Sequence, residues 1–78
     1  MATLNQTIAE NISIALAKTG ETQTHLANAV GIDKSRMSRI LADESPVSAI
    51  ELFAIACHFG VPAQWFSKPR LEELAVAA

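Results

Sequence analysis

Apolar residues recur every three or four positions along most of the chain, a spacing that indicates helices rather than strands. Leu4, Ile8, Ile12 and Leu16 fall on one face of a predicted first helix over residues 4–18. No stretch of useful length alternates apolar and polar residues, as a half-buried strand would. The pattern therefore predicts an all-α fold.

Two short helices are predicted next, and a turn that contains glycine joins them. Thr22 is placed to N-cap a helix over residues 23–30, and glycine follows immediately. Asp33 is placed to cap a third helix over residues 34–41. Two short helices joined in this way form a helix-turn-helix motif. We assign the motif to residues 22–41.

The second half of the chain carries the start and stop signals of further short helices. Ser48 and Glu51 have the spacing of a capping box that opens a fourth helix, and Gly60 ends it. Pro62 suits the first turn of a short fifth helix, and Pro69 can start a sixth. The prediction is a compact five-helix domain with a possible short sixth helix at the C-terminus.

The length of the chain, 78 residues, leaves room for one small domain. We expect a helix-turn-helix domain over residues 1–68 and a tail or short helix over residues 69–78 that serves dimerisation. A chain of this size buries only about 60% of its unfolded surface, so association would stabilise it. The apolar runs are too short to span a bilayer and no signal-peptide pattern is present, so a cytoplasmic protein is expected.

The net charge of −2 argues against a nucleic-acid partner, but the distribution of charge argues for one. Three of the six basic residues fall within residues 34–39. The predicted outer face of the third helix is cationic and rich in hydrogen-bonding groups: Lys34, Ser35, Arg36, Ser38 and Arg39.

A helix fits the major groove of DNA, where Arg or Lys donates two hydrogen bonds to guanine. Arg39 and Lys34 are therefore the best candidates for reading bases, with Ser35 adaptable and Arg36 able to bond a base or a phosphate. Gln23 begins the second helix, where exposed backbone N–H groups attract a phosphate oxygen.

Two stretches resemble the Cro and lambda-repressor family. Residues 22–41, TQTHLANAVGIDKSRMSRIL, are similar to its helix-turn-helix, and residues 55–66, IACHFGVPAQWF, to its fourth and fifth helices. The resemblance implies a lambda-repressor-like domain that binds operator DNA as a two-fold dimer. It assigns the phosphate-contacting glutamine to Gln23 and base contacts to Lys34, Ser35 and Arg39. Glu21 departs from the family, where an apolar residue is usual, which implies a looser start to the second helix.

The function expected from these features is a Cro-type repressor that binds an inverted-repeat operator as a homodimer, with no small-molecule effector. A host-encoded regulator or an antitoxin would have a similar sequence. A protein-interaction module with the same fold is the alternative from another class. Asp43 and Glu44 favour that alternative, because acids after the third helix repel phosphate.

The candidate dimer surface combines two aromatic residues with an apolar tail: Trp65, Phe66, Leu71 and Leu74. Core packing of both aromatic residues is the competing interpretation.

No residue set indicates catalysis, a cofactor or a metal site, so enzyme activity is not expected. Cys57 is predicted to pack in the core, His58 to lie at its rim and His25 to lie on the surface. The cysteine and histidine spacing does not match that of a structural zinc site.

Overall fold

The computed structural model describes residues 3–68, which form four α-helices and one 3₁₀-helix without a strand. The elements are α1 (Leu4–Thr19), α2 (Gln23–Val30), α3 (Lys34–Leu41), α4 (Ala49–Phe59) and the 3₁₀-helix (Ala63–Ser67). The all-α prediction is confirmed. None of the helices described is long and apolar enough to cross a membrane.

Side-chain caps set where the helices begin. Thr22, Asp33 and Ser48 each accept a hydrogen bond from a backbone N–H in the first turn of the helix that follows, at 3.0–3.1 Å. Glu51 completes the predicted capping box, because its Oε1 accepts the N–H of Ser48 at 2.9 Å. These local hydrogen bonds explain why the predicted boundaries of α2, α3 and α4 agree with the structure.

The predicted fifth helix is a 3₁₀-helix rather than an α-helix, which corrects the five-helix prediction. The Trp65 N–H donates to the carbonyl of Pro62 at 2.9 Å, an i to i+3 bond. The carbonyls of Phe66 and Lys68 accept hydrogen bonds from the side chain of Asn11. The predicted sixth helix lies outside the described residues.

The hydrophobic core lies where all five elements meet. Each element contributes a fully buried apolar side chain: Ile12, Leu26, Met37, Ile55 and Phe66. Because α3 contributes Met37 and, almost fully buried, Ile40, its opposite face is held towards solvent.

Candidate nucleic-acid interface

The turn between α2 and α3 is fixed by the backbone. Gly31 has a φ of 72°, a left-handed conformation that glycine adopts without a Cβ penalty. The N–H groups of Gly31 and Ile32 both donate to the carbonyl of Ala27. Ala27 itself is fully buried, and its small side chain allows close approach of the two helices. The orientation of α3 therefore follows from local sequence.

Four of the predicted DNA-contacting residues form an exposed face of α3: Lys34, Ser35, Ser38 and Arg39. Within residues 3–68, the side chains of Lys34 and Arg39 make no hydrogen bond and no ion pair. The backbone N–H of Ser35 donates to the Asp33 carboxylate at 3.0 Å, and the side chain of Ser35 is exposed. The exposed face therefore offers two cations and two hydroxyl groups to a ligand.

Gln23 is the first residue of α2 and is exposed. Thr22 caps the backbone N–H of His25, and the first N–H groups of α2 remain directed towards the same end of the helix. Gln23 thus combines a side-chain amide with the positive end of a helix dipole.

Arg36 lies differently from the other predicted contacts, because its guanidinium group faces the protein. Its Nε and Nη2 donate to the two carboxylate oxygens of Glu51 at 2.9 and 2.7 Å. Its Nη1 donates to the Ser45 hydroxyl at 2.6 Å, and Nη2 also donates to the Pro46 carbonyl at 2.9 Å. Arg36 therefore joins α3 to the connection before α4 and to α4 itself.

The charge of Glu51 is strongly favoured by this arrangement. The hydrogen bonds from Arg36 lower the pKa of Glu51 to about 2, although partial burial opposes the shift. Hydrogen bonds with the backbone and hydroxyl of Ser48 contribute to the same lowering. Arg36 and Glu51 thus form a charged pair at neutral pH, and the cation of Arg36 is compensated within the domain.

The connection after α3 carries two exposed acids, Asp43 and Glu44. Asp43 has a φ of 59°, a left-handed conformation that Asp and Asn tolerate better than most residues. The Glu44 N–H donates to the Arg39 carbonyl at 2.9 Å and closes the last turn of α3. The acids therefore lie immediately beyond the C-terminal end of the cationic helix.

The predicted dimer residues divide into three groups. Phe66 is 0% exposed and packs in the core, so its assignment to a dimer surface is wrong. Trp65 is half-buried and meets the Phe66 ring edge-on, with ring centroids 5.0 Å apart. Leu71 and Leu74 lie outside the described residues.

A second polar cluster joins the beginning of α2 to the end of α4. Glu21 Oε1 lies 2.7 Å from His58 Nε2 and 3.2 Å from His25 Nε2. The hydrogen bond from His58 is the main cause that lowers the pKa of Glu21. The Thr19 hydroxyl donates to Glu21 Oε2 at 3.0 Å. The start of α2 is therefore held by several contacts, contrary to the looser start that the family resemblance implies.

Sequence reasoning missed this cluster and misplaced Cys57. The spacing of Glu21 and His25 suits a local pair, but His58 is 37 residues from Glu21 and only the fold brings them together. Cys57 is exposed, not packed in the core, because its neighbours Ile55 and Ala56 occupy the buried face of α4.

The fold and the exposed cationic face together define a helix-turn-helix domain suited to double-stranded DNA. The chain belongs to the helix-turn-helix family, of the Cro-like type, and the family model described as Helix-turn-helix matches residues 14–66. Membership of this family supports the assignment of the chain as a DNA-binding regulator.

A solved structure has the same fold over nearly the whole chain. It is a crystal structure described as a hypothetical transcription factor, NHTF, from Neisseria, with a TM-score of 0.83 and 23% sequence identity. The similarity covers 95% of this chain and 85% of that one. No curated protein has a significantly similar sequence.

Proposed function

We propose that this chain is a sequence-specific regulator of transcription that binds double-stranded DNA with α3 in the major groove. The observation that carries the proposal is the outer face of α3, where Lys34 and Arg39 are exposed and unpaired within residues 3–68. A cation without an internal partner is available for a phosphate or a base edge without breaking any contact of the domain.

Arg39 and Lys34 are the proposed base readers, because both side chains can donate two hydrogen bonds to guanine O6 and N7. Ser35 and Ser38 lie beside them on the same exposed face. A hydroxyl both donates and accepts hydrogen bonds, so these two residues can each pair with whichever base lies next to those that the cations contact.

Gln23 is the proposed phosphate contact. Its amide lies at the N-terminal end of α2, where backbone N–H groups and the helix dipole attract a phosphate oxygen. A contact of this kind fixes the position of α3 on the duplex and carries no sequence information of its own.

Arg36 has a positioning role in this proposal rather than a reading role. Its guanidinium group already makes four hydrogen bonds, to Glu51, Ser45 and Pro46. Moving it to a base would leave the Glu51 carboxylate without its cation, so these contacts favour the position that Arg36 has within the domain. It holds α3 against α4 while the neighbouring residues meet the DNA.

The proposed active form is a homodimer on an inverted repeat, with half-sites about 34 Å apart. Trp65 and the segment that contains Leu71 and Leu74 remain the proposed dimer surface, without Phe66. Occupation of a promoter by such a dimer causes repression in the manner of a Cro-type protein, and the mechanism requires no small-molecule effector.

A binding selection from a random double-stranded DNA library at near-physiological salt tests the proposal. The expected result is an enriched inverted repeat whose half-sites contain guanine. Arg39→Ala should lose enrichment at one position of each half-site, whereas the charge-matched control Lys68→Ala should retain the motif. A folded, dimeric wild-type protein that enriches no sequence would overturn the proposal.

A protein-interaction module is the second candidate, and one observation favours it. Ile50 and Phe53 on α4 are 82% and 64% exposed, although both are large and apolar. If these residues serve a protein partner and DNA binding has been lost, Phe53→Ser abolishes that association, which should be nearly insensitive to salt. DNA binding would instead weaken steeply with salt and be unaffected by Phe53→Ser.

A further inference from the structure

We propose that Glu21, His25 and His58 form a binding site for a divalent transition-metal ion of the zinc type. The inference goes beyond the proposed DNA-binding function and does not depend on it. It rests on the convergence of three ligand side chains from separate parts of the fold: the connection before α2, the first turn of α2 and the last turn of α4.

The donor atoms have the spacing that such an ion requires. Glu21 Oε1 lies 2.7 Å from His58 Nε2 and 3.2 Å from His25 Nε2, and all three donor atoms lie within 4.8 Å of one another. In a tetrahedral site with bonds of about 2.0–2.2 Å, neighbouring donors are about 3.3–3.6 Å apart. Small side-chain rotations are therefore sufficient to bring the three donors around one ion.

The chemistry of the donors selects the class of metal. Two imidazole nitrogens and one carboxylate oxygen suit zinc, copper, nickel or cobalt, whereas magnesium and calcium prefer oxygen ligands only. Three protein ligands leave a coordination position for water, which can enter because the His25 side chain is 62% exposed.

The surroundings of Glu21 hold it ready to coordinate. Thr19 donates to Oε2, the carboxylate oxygen that does not face the histidines, and so orients the group. The backbone N–H of Glu21 donates to the Leu16 carbonyl at 3.1 Å, which fixes the residue at the end of α1.

The bound ion would link α2 to α4 across the domain. Without metal, both histidines contact the Glu21 carboxylate through Nε2, the atom through which each would coordinate the ion. Because the unfolded chain does not hold the three ligands together, binding stabilises the folded domain. Metal binding is therefore measurable both directly and as a rise in the unfolding midpoint.

The test uses the full chain without a histidine tag, freed of metal and held near neutral pH in a non-coordinating buffer. Zinc is titrated against a chromophoric chelator, and thermal unfolding is followed with and without zinc. We expect one zinc ion per chain and a higher unfolding midpoint in its presence. Cobalt, used as a spectroscopic probe, should bind at the same site.

Variants separate this site from adventitious binding. His25→Gln and His58→Gln should each weaken zinc binding at least about tenfold and reduce the rise in midpoint. Cys57→Ser is the matched control, since Cys57 is an exposed thiol beside His58 and could bind zinc by itself. This variant should bind zinc as the wild type does. His25 is largely exposed, so its variant is expected to fold and keeps the test decisive.

Two results would overturn the assignment. One is the absence of zinc binding by the folded wild-type chain. The other is binding that Cys57→Ser abolishes and His25→Gln leaves unchanged, which would identify an adventitious ion on the thiol.

Discussion

Arg36 on α3 and Glu51 on α4 form a bidentate ion pair, with N–O distances of 2.9 and 2.7 Å. The pair faces the protein, away from the exposed face of α3 that is proposed to read DNA. Glu51 also accepts the Ser48 N–H and so belongs to the N-terminal cap of α4. One carboxylate therefore both starts a helix and holds its neighbour, and several of its consequences can be measured.

Loss of the negative charge of Glu51 should destabilise the domain. Glu51→Gln keeps the shape of the side chain and an oxygen acceptor but removes the charge that faces Arg36. We expect the free energy of unfolding to fall by about 1 kcal/mol, since partial exposure screens the pair. Urea unfolding measures the change, with Glu10→Gln, at an exposed position of α1, as the control. Equal stability of the two variants would contradict a structural role for the pair.

The same carboxylate should make stability depend on acid pH. Its pKa is about 2 in the folded domain and 4.5 ordinarily, so the folded state favours the ionised form. Its contribution is complete above the ordinary pKa and is lost as the pH falls towards 2. As the pH falls over this range, the thermal unfolding midpoint of the wild type should therefore decline more steeply than that of Glu51→Gln. Parallel curves for the two proteins would argue against the shift.

Arg39 and Gln23 should respond differently to truncation if their proposed roles are correct. Arg39→Ala should relax the preference at one base pair of each half-site by about 1–3 kcal/mol. Gln23→Ala should weaken binding to all sequences by a similar factor, because a phosphate contact does not read bases. Titration of each variant against the selected operator and its single-base changes gives both quantities. An unchanged preference in Arg39→Ala would remove Arg39 from the base readers.

Neutralising Asp43 should strengthen DNA binding. Asp43→Asn removes a negative charge just beyond α3, and Asn also tolerates the positive φ of 59°. We expect a higher affinity for DNA, with the larger gain at low salt, where the repulsion of phosphate is least screened. Glu10→Gln makes the same change of charge on α1 and should have little effect. Equal affinities of wild type and Asp43→Asn would place the acid away from the DNA.

Asn11 should be intolerant of a carboxylate. Its Nδ2 donates to the carbonyls of Phe66 and Lys68, both at 2.7 Å, and the residue is 1% exposed. Asn11→Asp removes both donors and sets a charge against two carbonyl oxygens, at an expected cost of about 3 kcal/mol at neutral pH. Asn5→Asp, at an exposed position in the first turn of α1, is the matched control and should be nearly neutral in chemical denaturation.

Features of the fold that depend on contacts between residues close in sequence were predictable. Helix boundaries follow from caps such as Thr22 and Asp33, whose partners lie within three residues, and the exposed face of α3 follows from the burial of Met37. Phe66 shows the limit of this reasoning, because an apolar residue near the end of a domain suits a core or an interface equally well.

Contacts between distant parts of the chain were not predictable. The partners in the Arg36–Glu51 pair are 15 residues apart, and those in the Glu21–His58 contact are 37 apart. The charge of Arg36 led to the prediction of a DNA contact. Its pairing with the Glu51 carboxylate shows instead that the guanidinium group holds α3 against α4. Such pairings depend on helix packing, which periodicity alone does not determine.

The two hydrogen bonds of Asn11 also determine how much chain the domain requires. They secure the backbone on either side of Ser67, while the Phe66 ring fills the core from the same segment. A truncation before Phe66 would remove a central core side chain and strand a buried amide, whereas one after Lys68 would preserve both. The autonomously folding unit should therefore extend at least to Lys68.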